Sequence, residues 1–119
     1  MGHRRHEEAP LWKEAYQFTL RIYRLTRIFP AFERQQLARQ LRSAAGAILA
    51  NVAEALNRTS EMDKDQFVSM AYASASESEY LLGLVQQMGY AKTLRLRVMA
   101  ESLCSQLADA GRELRLERR

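Results

Sequence analysis

The run from Leu37 to Asn57, LARQLRSAAGAILANVAEALN, constrains this chain more than any other. Its apolar residues Leu37, Leu41, Ala44, Ile48, Val52 and Ala55 recur at spacings of three and four, the period of one helix face. Only Ile48 and Val52 are β-branched, and Gly46 is the one weak helix former. Ala38, Ala45, Gly46, Ala47, Ala50 and Ala53 flank the stripe. Side chains this small let a neighbouring backbone approach closely. The run predicts a crowded, buried helix, and the rest of the chain must supply elements that pack on it.

Three further helices are readable. Pro10 suits a first helical turn, and Leu11, Ala15, Phe18, Ile22, Leu25 and Phe29 follow as one stripe. Trp12, Tyr16, Leu20 and Tyr23 form a second stripe beside it. The resulting face is wider than a peripheral helix needs. It predicts either a core face plus a subunit-contact face or an ordinary central helix. Pro30 ends this segment, because it lacks a donor and restricts Phe29. Ser60 and Asp63 have capping-box spacing, with Asp in place of Glu. The third helix then carries Phe67, Ala71, Ser74, Ser78, Leu81, Val85 and Met88 on one stripe, widened by Met70, Ala73, Tyr80 and Leu84. Gly89 and Tyr90 read as a left-handed stop with an apolar residue folding back. Thr93 is placed to cap a fourth helix with Leu96, Ala100, Leu103, Leu107, Ala110 and Leu114 inward.

Only two Pro and five Gly supply turns, which favours few long elements over many short strands. The expected fold class is all-α, an antiparallel up-down-up-down four-helix bundle. The 119 residues make one domain. Residues 1–9 are expected as a disordered tail and 10–116 as the bundle, with helices at about 10–29, 34–57, 61–88 and 93–116. No apolar run reaches the roughly 18–20 residues of a membrane span. MGHRRHEEAP has no apolar segment after its basic residues, unlike a secretory signal. The lone Cys104 fits a reducing compartment, so a cytoplasmic location is expected.

Catalytic constellations are not found in the sequence. Both histidines, His3 and His6, precede the first helix. Glu-x-x-His di-metal motifs and Ser-His or Cys-His pairs therefore have no histidine to use. Glu77 and Glu79 stand two apart and face different ways. No glycine-rich phosphate loop is present. No enzyme activity, catalytic residue, cofactor or metal is expected. Cys104, next to an apolar stripe, reads as a small buried hydrophobe. Asn51 and Glu54 lie beside the stripe of the second helix. With Glu77 they are candidates for a structural polar network or an interface.

The formal net charge is +4, and Lys occurs only at 13, 64 and 92. Arginine favours bidentate phosphate contacts and stacking on planar groups. Arg21, Arg24, Arg27, Arg34, Arg39, Arg42 and Arg58 are the candidate nucleic-acid contacts. The opposing reading is ordinary solvated helix faces, and the modest charge, spread along the chain, weighs toward it.

Three blocks, LWKEAYQFTLRIYRLTRIFP, QLRSAAGAILANVAEALNRTS and FVSMAYASASESEYLLGLVQQMGY, resemble the 23S ribosomal RNA intervening-sequence family of four-helix-bundle proteins. The family's second-helix pattern is matched at Gln40, Leu41, Arg42, Ala44, Ala45, Ile48, Ala50, Asn51, Val52, Ala53 and Glu54, then at Arg58 and Ser60. Its third-helix pattern is matched at Phe67, Ala71, Ser74, Glu77 and Glu79, and its Leu-Gly-Tyr becomes Met88, Gly89 and Tyr90. Ala47, Ala55, Ala73 and Ser78 depart from it, in place of Ser, Gly, Gly and Leu. Ala55 in place of Gly should let the second helix run further.

The resemblance implies a ring-shaped homo-oligomer, a pentamer, and brings no activity with it. Five copies would carry about +20, enough for salt-sensitive binding to RNA or DNA. A related branch of basic accessory proteins of diversity-generating retroelements binds a reverse transcriptase and nucleic acid. Three functions follow. The first is a non-enzymatic oligomer on RNA or DNA backbone. The second is a scaffold docking an acidic or nucleic-acid-bound partner protein. The third is an enzyme or small-ligand binder with a pocket in the bundle or ring centre around Asn51 and Glu54.

Overall fold

A computed structural model describes residues 6–117. It holds four α-helices: α1 (Pro10–Thr26), α2 (Leu37–Asn57), α3 (Glu61–Gln87) and α4 (Leu94–Glu117). A 3-10 turn, Ala31–Glu33, lies between α1 and α2. Among the described residues there is no strand. The long axis is 48 Å. It is set by α3, whose 27 residues span about 40 Å at 1.5 Å per residue.

Neighbouring helices run antiparallel. Thr26, at the end of α1, meets Arg42, near the start of α2. His6, just before α1, meets Asn57, the last residue of α2. Asp65, early in α3, pairs with Arg115, late in α4, while Thr93, just before α4, bonds to Leu82 in α3. α2 packs along α1 and α3, α3 packs along α4, and α1 closes the bundle against α4.

The α2 stripe is buried throughout: Leu37, Leu41, Ala44, Ile48, Val52 and Ala55 all face the core. On α1, Ala15, Phe18 and Ile22 are buried and Leu11 and Leu25 half-buried, and Phe29 just beyond the helix is buried too. The second α1 stripe stays at the surface, with Tyr16 and Tyr23 exposed and Trp12 half-buried. Trp12 and Tyr16 stack at 5.2 Å. On α4, Leu96, Ala100, Leu103 and Leu107 are buried, followed by Gly111.

α3 departs from its expected register. Val68, Ala75 and Leu82 are buried beside Ala71, Ser78, Leu81 and Val85. Phe67 and Ser74 are only half-buried, and Met88 is exposed. The physical reason is that α3 divides its packing about equally between α2 and α4, whereas each other helix leans on one neighbour, so its inward arc is wider than one stripe. Met70, Ala73, Tyr80 and Leu84 are exposed on its outer side. Ser78, where the family pattern has Leu, is fully buried, and its hydroxyl donates to the Ser74 carbonyl at 2.9 Å. That bond within the helix satisfies a hydroxyl that would otherwise be costly to bury.

The helix ends show how the links are made. After Thr26 the N–H groups of Arg27, Ile28 and Phe29 donate to carbonyls three residues back. The helix thus tightens into 3-10 turns before Pro30, three residues earlier than expected. α2 starts at Leu37, three residues later than expected, because residues 31–36 are used by the 3-10 turn and the turn after it. It runs on to Asn57, past Ala55. Ser60 Oγ accepts from the Asp63 N–H at 3.3 Å, capping α3. Gly89 has φ +77°, with the Tyr90 N–H bonded to the Val85 carbonyl and the Gly89 N–H to that of Gln86. This double bond pattern is a Schellman stop, and its left-handed residue needs glycine.

Thr93 differs from expectation. Its hydroxyl donates to the Leu82 carbonyl at 2.9 Å and its N–H to Gln86 Oε1 at 3.0 Å. Both groups tie the link back onto α3 instead of capping α4. The expected tail differs too. Residues 1–5 lie outside the described residues. Residues 6–8 form a helical turn, and the His6 ring meets the edge of Trp12 at 5.2 Å.

Tyr90 joins the two links at one end of the bundle. Its ring lies 5.7 Å from Phe29 and 6.4 Å from Phe32, and its hydroxyl donates to Glu33 Oε2 at 2.6 Å. The hydrogen bond to Glu33 holds the phenol in its neutral form and raises its pKa above the ordinary value. The bond therefore stabilises the fold at neutral pH and is lost as pH rises through the raised pKa. Tyr90→Phe should lower the melting temperature at pH 7. The gap from wild type should close above about pH 10, the ordinary tyrosine range. Melting curves across that range check this; a gap unchanged at alkaline pH would mean the Glu33 bond contributes nothing.

Candidate functional site

The two links fix which charges share an end. Among the described residues, the half of the bundle holding links 27–36 and 88–93 carries Arg21, Arg24, Arg27, Arg34, Arg39, Arg42, Lys92, Arg95 and Arg97. Against these nine cations stand four carboxylates: Glu33, Glu77, Glu79 and Glu101. The opposite half reverses the balance, with ten carboxylates (Glu7, Glu8, Glu14, Glu54, Glu61, Asp63, Asp65, Asp109, Glu113, Glu117) and five cations. Three of those five are in ion pairs: Arg58 with Glu54, Arg112 with Asp109 and Arg115 with Asp65. Arg4, Arg5, Arg118 and Arg119 lie outside the described residues. The helices alternate in direction, so their macrodipoles largely cancel. Side chains make the basic end. The charge is thus less evenly spread than its order along the chain implied.

The candidate arginines divide into three groups. Arg34, Arg39 and Arg42 converge on one open groove between α1 and α2, together with Tyr23, Gln35 and Ser43. Arg34 comes from the turn before α2, and Arg39 and Arg42 from its first two turns. Arg34 and Arg39 are exposed and make no ion pair with any described residue. Arg42 is half-buried. Its Nε donates to Thr26 Oγ1 at 2.8 Å, and its guanidinium lies 5.0 Å over the Tyr23 ring. It ties α1 to α2 and presents its remaining N–H groups to the groove.

Arg21 and Arg24 on α1 and Arg27 just after it form the second group, exposed and likewise without an ion pair to any described residue. Arg27 shares the face of Tyr23, four residues on. Arg58 stands alone at the opposite end. It pairs with Glu54 at 2.7 Å and covers the Phe67 ring at 4.9 Å. The structure separates it from the other six.

Asn51, Glu54 and Glu77 make no hydrogen bond to one another. Asn51 Nδ2 donates to the Ala47 carbonyl at 2.9 Å within α2. Glu54 is exposed and bound to Arg58, and Glu77 is exposed on the outer arc of α3. Cys104 is half-buried, 3.7 Å from Ser76 Oγ, and burial pushes its thiol pKa up. That is the opposite of an activated nucleophile. Among the described residues no three His, Cys, Asp or Glu side chains gather to hold a metal ion. Among the described residues no helix is long and apolar enough to cross a membrane.

Two features were missed in the sequence. The basic end is hidden in chain order and emerges only when Lys92, Arg95 and Arg97 are placed on the up-down-up-down bundle, whose first and third links share an end. The charge asymmetry of the first two helices was available: residues 10–53 hold seven cations and only Glu14 and Glu33 as carboxylates. Both carboxylates are engaged, Glu14 by Gln106 at 2.7 Å and Glu33 by Tyr90.

No curated protein matches the chain. A family model, that of the 23S rRNA-intervening sequence protein, matches residues 7–110. That span covers all of α1, α2 and α3 and most of α4. With this match over nearly its whole length, and with four helices in the order the resemblance implied, the chain belongs to the 23S rRNA-intervening sequence protein family.

Proposed function

We propose that this protein binds the phosphate backbone of RNA or DNA through the basic end of its bundle, as a homo-oligomer and without catalysing a reaction. The observation that carries the reading is the groove of Arg34, Arg39 and Arg42 beside Tyr23 and Ser43. Two of its three guanidiniums have no acidic partner among the described residues. Guanidinium forks and hydroxyls are the common ligands of phosphate oxygens. Nine cations against four carboxylates leave this end with a net +5, more than the +4 of the whole chain and gathered in half the bundle.

Assembly finds support in apolar side chains left in water on α3. Met70, Tyr80, Leu84 and Met88 are exposed on its outer arc. Exposed apolar side chains gathered on one arc are a common mark of a protein interface. An oligomer would multiply the basic ends.

The test is binding to a labelled structured RNA and a matched duplex DNA, titrated in salt, with oligomeric mass recorded on the same sample. Wild-type binding should weaken steeply with salt. In Arg34→Glu/Arg39→Glu the affinity should fall for both probes. The slope of log K against log salt should drop by about one for each phosphate the variant no longer neutralises. Arg58→Glu, at the far end, should change neither. No binding by the wild type at low salt would remove this reading and move the search to an acidic protein partner.

A further inference from the structure

We propose that the basic end binds single-stranded nucleic acid in preference to duplex, with unpaired bases stacked on Phe32 and Tyr23. The inference rests on the phosphate-binding reading above and names its substrate class. Phe32 is the most exposed large apolar side chain among the described residues, at 72%. It stands on the 3-10 turn between α1 and α2, two residues from Arg34. The Tyr90 ring stands nearly perpendicular to it at 6.4 Å, and the Phe32 side chain remains largely open to solvent. Tyr23 lines the arginine groove itself and is 46% exposed, with Arg42 over its ring.

The basic end therefore interleaves cations with aromatic rings turned to solvent. A duplex would use only half of this arrangement. Its phosphates can pair with arginines, but its bases are already stacked and have no face to offer Phe32. A single strand offers both at once, phosphates for the guanidiniums and free base faces for the rings. The one carboxylate on this turn, Glu33, is held by Tyr90, which leaves Arg34 without a competing neighbour there. Phosphates and base faces are common to RNA and DNA, so the preference should be for strandedness, not for the sugar.

The experiment compares rU and dT 20-mers with a 20-base-pair duplex DNA at one salt concentration, using wild type, Phe32→Leu and Arg34→Glu/Arg39→Glu. Oligomeric mass is measured for each. Both single strands should bind wild type about tenfold tighter than the duplex. Phe32→Leu keeps an apolar side chain but has no aromatic face. It should lose most of that preference, leaving duplex affinity and oligomeric mass unchanged. Equal affinity for single strands and duplex would overturn the proposal while leaving phosphate binding intact. So would an equal loss on both probes, or a changed mass, which would assign Phe32 to a subunit contact. Absence of binding to all three probes would remove the underlying reading as well.

Discussion

Phe18→Ala is expected to destabilise the protein by about 3–5 kcal/mol. Phe18 is fully buried on α1 and, with Phe29, is the bulkiest of the fully buried side chains. Removing its ring loses the transfer free energy of the whole aromatic group and leaves a hole. The hole should close poorly, because the core it enters is rich in residues with nothing to extend. Ala15, Ala38, Ala44 and Ala45 all belong to that core. Against a total stability of roughly 5–15 kcal/mol for a domain of this kind, such a loss leaves a marginal fold. Gln17→Ala, one residue away on the exposed face, should stay within about 0.5 kcal/mol of wild type. Chemical unfolding at two protein concentrations checks both, since assembly would couple unfolding to concentration. A cost under about 1 kcal/mol for Phe18→Ala would place its ring outside the core.

The stripe containing Phe18 is legible because α1, α2 and α4 each pack mainly on one neighbour. A single three-four spacing then names most of their buried residues, and the α2 stripe is buried without exception, with Ala38 and Ala45 buried beside it. The same spacing falls short on α3. That helix packs about equally on α2 and α4, so Val68, Ala75 and Leu82 are buried off the expected stripe. Thr93 was misread for a related reason. A threonine before a helix has cap chemistry in one dimension, but the fold places the Leu82 carbonyl within its reach.

The candidate site was legible in its parts and not in its grouping. The six basic-end arginines between residues 21 and 42 were named, but so was Arg58, which the spacing to Glu54 could have assigned to an i,i+4 pair. An up-down-up-down order already puts links 27–36 and 88–93 at one end, which gathers Lys92, Arg95 and Arg97 with the rest. What no pattern along the chain shows is the contact of Tyr90 with Phe29, Phe32 and Glu33 that ties the two links together. The role of Arg42 in tying α1 to α2 depends on the Thr26 hydroxyl, sixteen residues away and on another helix.

Ala45→Leu should cost about 1–3 kcal/mol, and it should lower nucleic-acid affinity although no binding residue is touched. Ala45 is fully buried on α2, and its carbonyl lies 3.3 Å from Thr19 Oγ1 on α1. The two helices meet closely here because the side chain between them is a methyl group. The larger side chain has no space without off-rotamer neighbours or a shift of α1 away from α2. Helix propensity does not offset this, since Leu is slightly worse than Ala. A shifted α1 would strain the 2.8 Å bond from Arg42 to Thr26 and the stacking of Arg42 on Tyr23. Both contacts shape the arginine groove. Stability and affinity should therefore fall together in the order Ala45→Ser, Ala45→Val, Ala45→Leu, as added volume grows. The comparison is made at a temperature where every variant is folded, so that reduced affinity reports a displaced groove and not an unfolded fraction. Affinity that stays at the wild-type value while stability falls would show that the groove does not depend on the α1–α2 spacing, and would shift the binding role to the freely exposed Arg34 and Arg39 alone.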